Sequence, residues 1–337
     1  VVVVQTQTLD LARTVITTLV YRDNKFVAQN PPAETLSTLR NEPGVMLWVD
    51  LATPTDDEIK LILEATFGFH PLAIEDCVAD SPLPKLEPYD DYLYLVMHAV
   101  DYTQTESFTT TELDIFIGKN FLVTFHRQPL KAVDASLERF IKNTALIVRG
   151  PDRFAHTILD AMVEAYKPAL ELIRQQIEQL EEGVLHRISA DELFPRVVGL
   201  RKQLARLRQI VRPQREIAVD LSSGKHKLIR SVILPYLRDL GEDLARIETQ
   251  AGSWSDQLIL SFKIYLNKSK HSANAGIRAL TAITALSFPA TLVSTWFGMN
   301  YQYMHELTGR YSYPLAFALT LAATFATALY MRRRKWL

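Results

Sequence analysis

The sequence predicts an α+β cytoplasmic domain, a helical stalk and two C-terminal transmembrane helices, and three observations carry that prediction. Strand and helix patterns alternate through residues 1–150, and from 151 to 278 the periodicity is helical almost throughout. Residues 279–337 then hold two apolar runs, 279–299 and 313–331, joined by a polar loop over 300–312 and closed by a basic tail over 332–337. Each run has roughly 19 residues without a formal charge, about what a helix needs to cross the hydrocarbon layer of a bilayer. With 48% hydrophobic residues in a chain of 337, there is material for a core as well as two spans.

In the first region, residues 45–51 read as a buried strand. Residues 55–67 read as a helix, with Thr55 as cap ahead of Asp56, Asp57 and Glu58. Residues 92–102 form another strand, and 113–117 with 121–125 a hairpin turning at Gly118, Lys119 and Asn120. No glycine loop of the phosphate-cradling kind is present. In the second region, 154–185 and 191–211 read as two long antiparallel helices, the first kinked by Pro168. Pro213 and then Ser222-Ser223-Gly224 interrupt that pattern, after which helical character runs from Lys225 to Phe297, on the order of 100 Å. This helix is expected to link the cytoplasmic domain rigidly to the membrane; the alternative is separate helices broken at Gly252-Ser253 and over 269–272.

A formal net charge of −1 gives no reason to expect a nucleic-acid partner. The cations are unevenly placed: Lys263, Lys268, Lys270 and Arg278 precede the first span and Arg332 to Lys335 follow the second. By the positive-inside rule both termini are cytoplasmic and the loop faces outward. Val1 to Val4 is too short an apolar run for a signal sequence. One cysteine, Cys77, excludes an intrachain disulfide and a cysteine-based zinc cluster, and reads as a buried small hydrophobe. The 8 histidines show no zinc-binding spacing and there is no serine elbow, so nothing supports an enzyme.

Within the first span, Thr281, Thr284, Phe288, Thr291 and Thr295 recur at spacings of three and four and share one helical face. Such a stripe lines water when several copies meet; alternatively, its hydroxyls bond back to their own helix or to a neighbour. Gly298 has the freedom to end the helix in the left-handed conformation, placing Met299 and Asn300 where the span opens into the loop. A hard divalent cation prefers oxygen donors, which Asn300, Thr291 and Thr284 supply around a hydrated ion. One helix cannot form a ring, so this requires an oligomer. Glu306, repeated around such a ring, would concentrate cations at its mouth, or is a solvated loop carboxylate like its neighbour His305.

Phe297-Gly298-Met299-Asn300 resembles the signature of the CorA family of divalent-cation channels, in which an aromatic residue precedes Gly-Met-Asn at the end of the first of two C-terminal spans. Met304-His305-Glu306-Leu307 stands where that family commonly has Met-Pro-Glu-Leu, Tyr313-Pro314 opens the second span, and the chain closes on Lys335-Trp336-Leu337. Phe297 replaces the commoner Tyr and His305 the commoner Pro. Further upstream, His70-Pro71-Leu72 followed by Glu75-Asp76 resembles the family's His-Pro-Leu-x-x-Glu-Asp segment.

The resemblance implies a funnel-shaped homopentamer in a cell inner membrane, with the first span lining the pore and the second outside it. It carries over Gly298, Met299 and Asn300 as the filter and Thr291, Leu280 and Asn274 as pore-facing positions. Phe288 stands where the family often has Met and would act as an apolar constriction, with Leu280 near a hydrophobic gate. It also implies that Asp76 of one protomer faces Asp239 of the next across a regulatory Mg2+, with Glu75 and Asp160 as further acids, and Glu242 and Asp243 lie one turn beyond. The implied function is a potential-driven channel for divalent cations, foremost Mg2+ and also Co2+ or Ni2+, closed by cytoplasmic Mg2+ and needing no organic cofactor. The rivals are a proton-coupled zinc transporter of the same superfamily and, from another class, a membrane-anchored coiled-coil interaction protein whose hairpin is only a tether.

Overall fold

The computed structural model describes residues 16–23, 25–101, 109–142, 150–185, 189–299 and 311–334. The chain divides into two compact units, Val1–Ile259 and Leu260–Leu337. In the first unit, the described residues build a seven-stranded sheet of order β2-β1-β3-β7-β6-β5-β4. The strands are β1 (Ile16–Arg22), β2 (Lys25–Gln29), β3 (Val45–Ala52), β4 (Lys85–Pro88), β5 (Tyr92–Asp101), β6 (Thr109–Gly118) and β7 (Phe121–His126). All neighbours are antiparallel except β3 and β7. After β3 the chain passes through helices to the far edge and returns as the meander β4 to β7, which brings β7 alongside β3 in parallel. The expected strand over 45–51 is β3, and the expected hairpin is β6 and β7.

Alternation along β3 assigns the two faces of the sheet. Leu47, Val49 and Leu51 join a core with Phe67, Phe69, Tyr94, Phe116 and Phe125, covered by α1 (Ala33–Asn41), α2 (Asp56–Ile59) and α3 (Pro71–Val78). Trp48 points the other way, toward α4 (Lys131–Lys142) and α5 (Pro151–Glu164), where its ring lies 5.6 Å from Phe140 and 5.8 Å from Phe154. Burying an aromatic side chain of this size contributes about 2–3 kcal/mol, so these rings anchor the second helical layer. Thr55 caps α2 in a reciprocal box with Glu58, as its sequence position suggests. The helix does not stay regular to Phe67: residues Lys60–Thr66 widen into a π-helical segment, which keeps Ile62, Leu63 and Thr66 buried together with Ile59.

Three helical boundaries differ from the sequence expectation. The first long helix is two, α5 and α6 (Tyr166–Leu185), divided at Ala165 because Pro168 has no N–H to return to the Glu164 carbonyl. The second, α7 (Ala190–Leu221), continues through Pro213, since Val211, Ile217, Ala218 and Leu221 are buried on one side of it and packing outweighs one lost hydrogen bond. Helical structure resumes not at Lys225 but at Leu234, where α8 (Leu234–Phe297) begins. The intervening turn is held by Arg230, whose guanidinium and backbone N–H both donate to the buried Asp152 carboxylate at 2.5–3.0 Å. α8 then runs for 64 residues without a break at Gly252, at 269–272 or at Pro289. Among the described residues, two helices are long and apolar enough to span a bilayer, α8 through its apolar part in the second unit and α9 (Ser312–Arg333).

Candidate ion path and regulatory acids

The hydroxyl stripe of α8 is exposed, as is most of the helix surface here, Ile283, Leu292 and Trp296 included. Thr281, Thr284, Phe288, Thr291 and Thr295 are all exposed, while Ala282 and Val293, about 120–140° round the helix from Phe288, are buried. Asn274 and Leu280 are exposed as well. Each threonine donates its hydroxyl to the carbonyl one turn back, Thr284 to Leu280 at 2.9 Å and Thr291 to Ser287 at 3.0 Å, with Thr281 and Thr295 bonded likewise. The back-bonding alternative therefore describes the hydrogens. The oxygen lone pairs remain free to accept, so the stripe presents acceptors only, which suits the water shell of a cation.

The end of α8 departs from expectation in one respect. Gly298 does not take a positive φ; instead its N–H donates to the Ser294 carbonyl at 2.9 Å, and a Cβ there would stand 2.9 Å from that same oxygen. Close approach of the last turn, not left-handed backbone, is what asks for glycine. Met299 follows half-buried. Asn300, Glu306, His305 and the closing Lys335-Trp336-Leu337 lie outside the described residues.

The acids expected to sense metal fall in two places in the first unit. His70 and Pro71 have a local role in presenting the first pair: His70 Nδ1 accepts the Leu72 N–H at 3.2 Å as N-cap of α3, and Pro71 takes the first helical position, where no N–H is needed. Glu75 and Asp76 then come to the surface one turn later, Glu75 exposed and Asp76 half-buried, while Cys77 beside them turns into the core, where burial pushes its thiol up. Asp76 is not unaccompanied. Lys85 Nζ on β4 donates to its Oδ2 and, at 3.1 Å, to Glu87 Oε1.

The second place is where α5 and α8 carry Asp160 and Asp239. Burial pulls the His156 imidazole below its ordinary value, and the Asp160 and Asp239 carboxylates oppose that pull, so both lie within electrostatic reach of one ring. His156 also packs edge-on against Tyr236, which carries Arg153 over its face at 4.3 Å. Glu242 is exposed, and Asp243 pairs with Arg246. Among the described residues no three His, Cys, Asp or Glu side chains are grouped so as to hold a metal ion. The Asp160 and Asp239 carboxylates are hard oxygen donors of the kind Mg2+ takes. Lys85, Glu87 and His156 were not anticipated; a lone Lys or His carries no spacing signal, and only the fold shows what each touches.

A family profile described as CorA-like Mg2+ transporter protein matches residues 43–333. The cobalt/magnesium transport protein CorA of Thermotoga maritima is 26% identical over 86% of this chain and 83% of its own length. The complete structure of the CorA magnesium transporter from Methanocaldococcus jannaschii superposes with a TM-score of 0.79 at 20% identity, covering 96% of this chain and 99% of that one. The cytoplasmic domain of ZntB from Vibrio parahaemolyticus superposes with a TM-score of 0.60 at 13% identity, covering 77% of this chain and 99% of that one.

Proposed function

The chain belongs to the family of CorA-like Mg2+ transporter proteins, and from that premise we propose that its cargo is Mg2+, carried inward through a ring of α8 helices. It is a divalent-cation transporter of that family and not an enzyme. The observation that carries the Mg2+ reading is the exposed acceptor stripe of α8 leading to Gly298 and Met299. Mg2+ gives up its inner water reluctantly, so a path of hydroxyl and amide oxygens that accept from that water suits it better than one built to strip it. Thr284 and Thr291 serve in this way along the helix, Gly298, Met299 and Asn300 form the filter, Phe288 narrows the path, and Leu280 and Asn274 line its cytoplasmic end. Glu306 draws cations to the mouth.

Five copies close the ring, with α9 outside α8 in a cell inner membrane and both termini in the cytoplasm. Entry then needs no chemical fuel: a doubly charged ion gains about 4.6 kcal/mol in a potential of about 100 mV, negative inside. Asp160 and Asp239, with Glu75 and Asp76 from a neighbouring copy, are the residues that would hold a cytoplasmic divalent ion. The ion would supply the positive charge that lets these carboxylates approach without repulsion.

Liposomes holding the purified protein test this, with a Mg2+-sensitive dye inside, an imposed inside-negative potential, and parallel runs with Zn2+ under a pH gradient. The expected result is Mg2+ entry that follows the potential, ignores the pH gradient and is lost in Asn300→Ala. Zn2+ entry that follows the pH gradient, with little Mg2+ entry, would replace this reading with that of a zinc transporter. Absence of flux of either ion from a correctly assembled protein would reduce the hairpin to an anchor.

A further inference from the structure

The carboxylate marked by the family signature is already held by a cation of its own chain. Lys85 and Glu87 stand two residues apart on the edge strand β4, opposite Val96 and Tyr94 of β5, and so project from one face of that strand. Lys85 bridges the two acids, donating to Asp76 on α3 and to Glu87. Its ammonium lies 5.4 Å from the centre of the Tyr94 ring, and the Tyr89 hydroxyl donates to the other oxygen of Glu87 at 3.2 Å, which keeps Glu87 in place. Burial lowers the proton affinity of Lys85, and the hydrogen bonds to Asp76 and Glu87 more than restore it, so the group is charged at neutral pH.

We propose that Lys85 is a built-in competitor for the divalent cation at Asp76: its ammonium must leave that carboxylate before a metal ion can use it, and Glu87 is the second seat to which it withdraws. The inference rests on Asp76 being a regulatory metal ligand. A tethered ammonium faces its carboxylate at a high effective concentration that a free ion must overcome. A doubly charged ion beside an ammonium that had not moved would also be repelled. Glu87 lowers the cost of the exchange, because the ammonium keeps one full partner when it gives up the other. Lys85 and Glu87 thus set the concentration at which the carboxylate responds, with opposite signs.

The test is a Mg2+ titration of the detergent-purified full-length chain at constant ionic strength, read by amide hydrogen exchange over residues 71–78. The wild-type chain is expected to gain protection with Mg2+ and Asp76→Asn to lose that response. Because both partners are partly open to solvent, Lys85→Met is expected to lower the midpoint by about three- to fivefold and Glu87→Gln to raise it by a comparable factor. Lys85→Arg keeps the charge but grips a carboxylate with two hydrogen bonds, so it too is expected to raise the midpoint. A wild-type chain that gains no protection, or Asp76→Asn that still does, removes the reading of Asp76 itself. Loss of response in Asp76→Asn with an unchanged or raised midpoint in Lys85→Met overturns the competitor while leaving Asp76 as ligand. A Lys85→Arg midpoint equal to wild type overturns the exchange in favour of bulk charge alone.

Discussion

Single side chains decide several properties of this protein through what surrounds them. Glu112 lines a cavity of about 360 Å³ together with Cys77, Ser81, His98, Asp114 and Arg127. The Ser81 N–H donates to its Oε2 at 2.7 Å, while its Oε1 is buried without a protein hydrogen-bond partner. Burial pushes its carboxyl up from 4.5 to about 7, against the pull of the Ser81 amide. A carboxyl raised on folding contributes stability that is fully present below its unfolded value and is lost as pH rises through its folded value. Thermal unfolding of the wild-type chain is therefore expected to fall in midpoint between about pH 5 and pH 8, and Glu112→Gln to flatten that part of the profile by stabilising the alkaline end. An unchanged slope in the variant would assign the pH dependence elsewhere. The threonines of α8 follow the same logic at a smaller scale: their residue type was readable from the sequence, but only the helix shows that each hydrogen is used on a backbone carbonyl and that acceptors alone face outward.

Elements bring distant residues together where local pattern cannot. Asp76 and Lys85 are nine positions apart with no shared periodicity, and they meet because α3 packs over the sheet whose edge strand is β4. The turn between α7 and α8 shows the same dependence in a stabilising role. Asp152, 2% exposed near the start of α5, takes three side-chain hydrogen bonds and one backbone hydrogen bond from Arg230. Gly150 has φ 98 and leaves room for that guanidinium, whose carbon would lie 2.9 Å from any Cβ there. Asp152→Ala is expected to cost about 2–3 kcal/mol, below the largest values for buried pairs because Arg230 can turn toward water. It should also speed amide exchange over residues 222–233; a melting temperature equal to wild type would show the pair to be dispensable. The early onset of α8 expected at Lys225 missed this turn because Arg230 gives no signal until Asp152 is placed beside it.

At the scale of the whole molecule, the proposed orientation, with both termini in the cytoplasm, rests on the cations that flank the two spans. A single cysteine placed after Arg334 is expected to react with a membrane-impermeant thiol reagent in inside-out vesicles and not in sealed right-side-out ones, with Cys77 contributing no background because it is 1% exposed. The reverse pattern would place the tail outside. The sequence alone determined the two spans, the strand at 45–51, the hairpin turning at Gly118, the cap at Thr55 and the family to which the chain belongs. These depend on residue type, length and period along the chain, which hydropathy and capping chemistry express locally. The tertiary structure decided that β7 lies parallel to β3, that α7 passes through Pro213, that Gly298 is needed for close approach rather than for its handedness, that Asp160 and Asp239 both come within electrostatic reach of His156, and that Lys85 holds Asp76. Each of these depends on which elements come into contact, and burial and charge at a contact are properties of the pair.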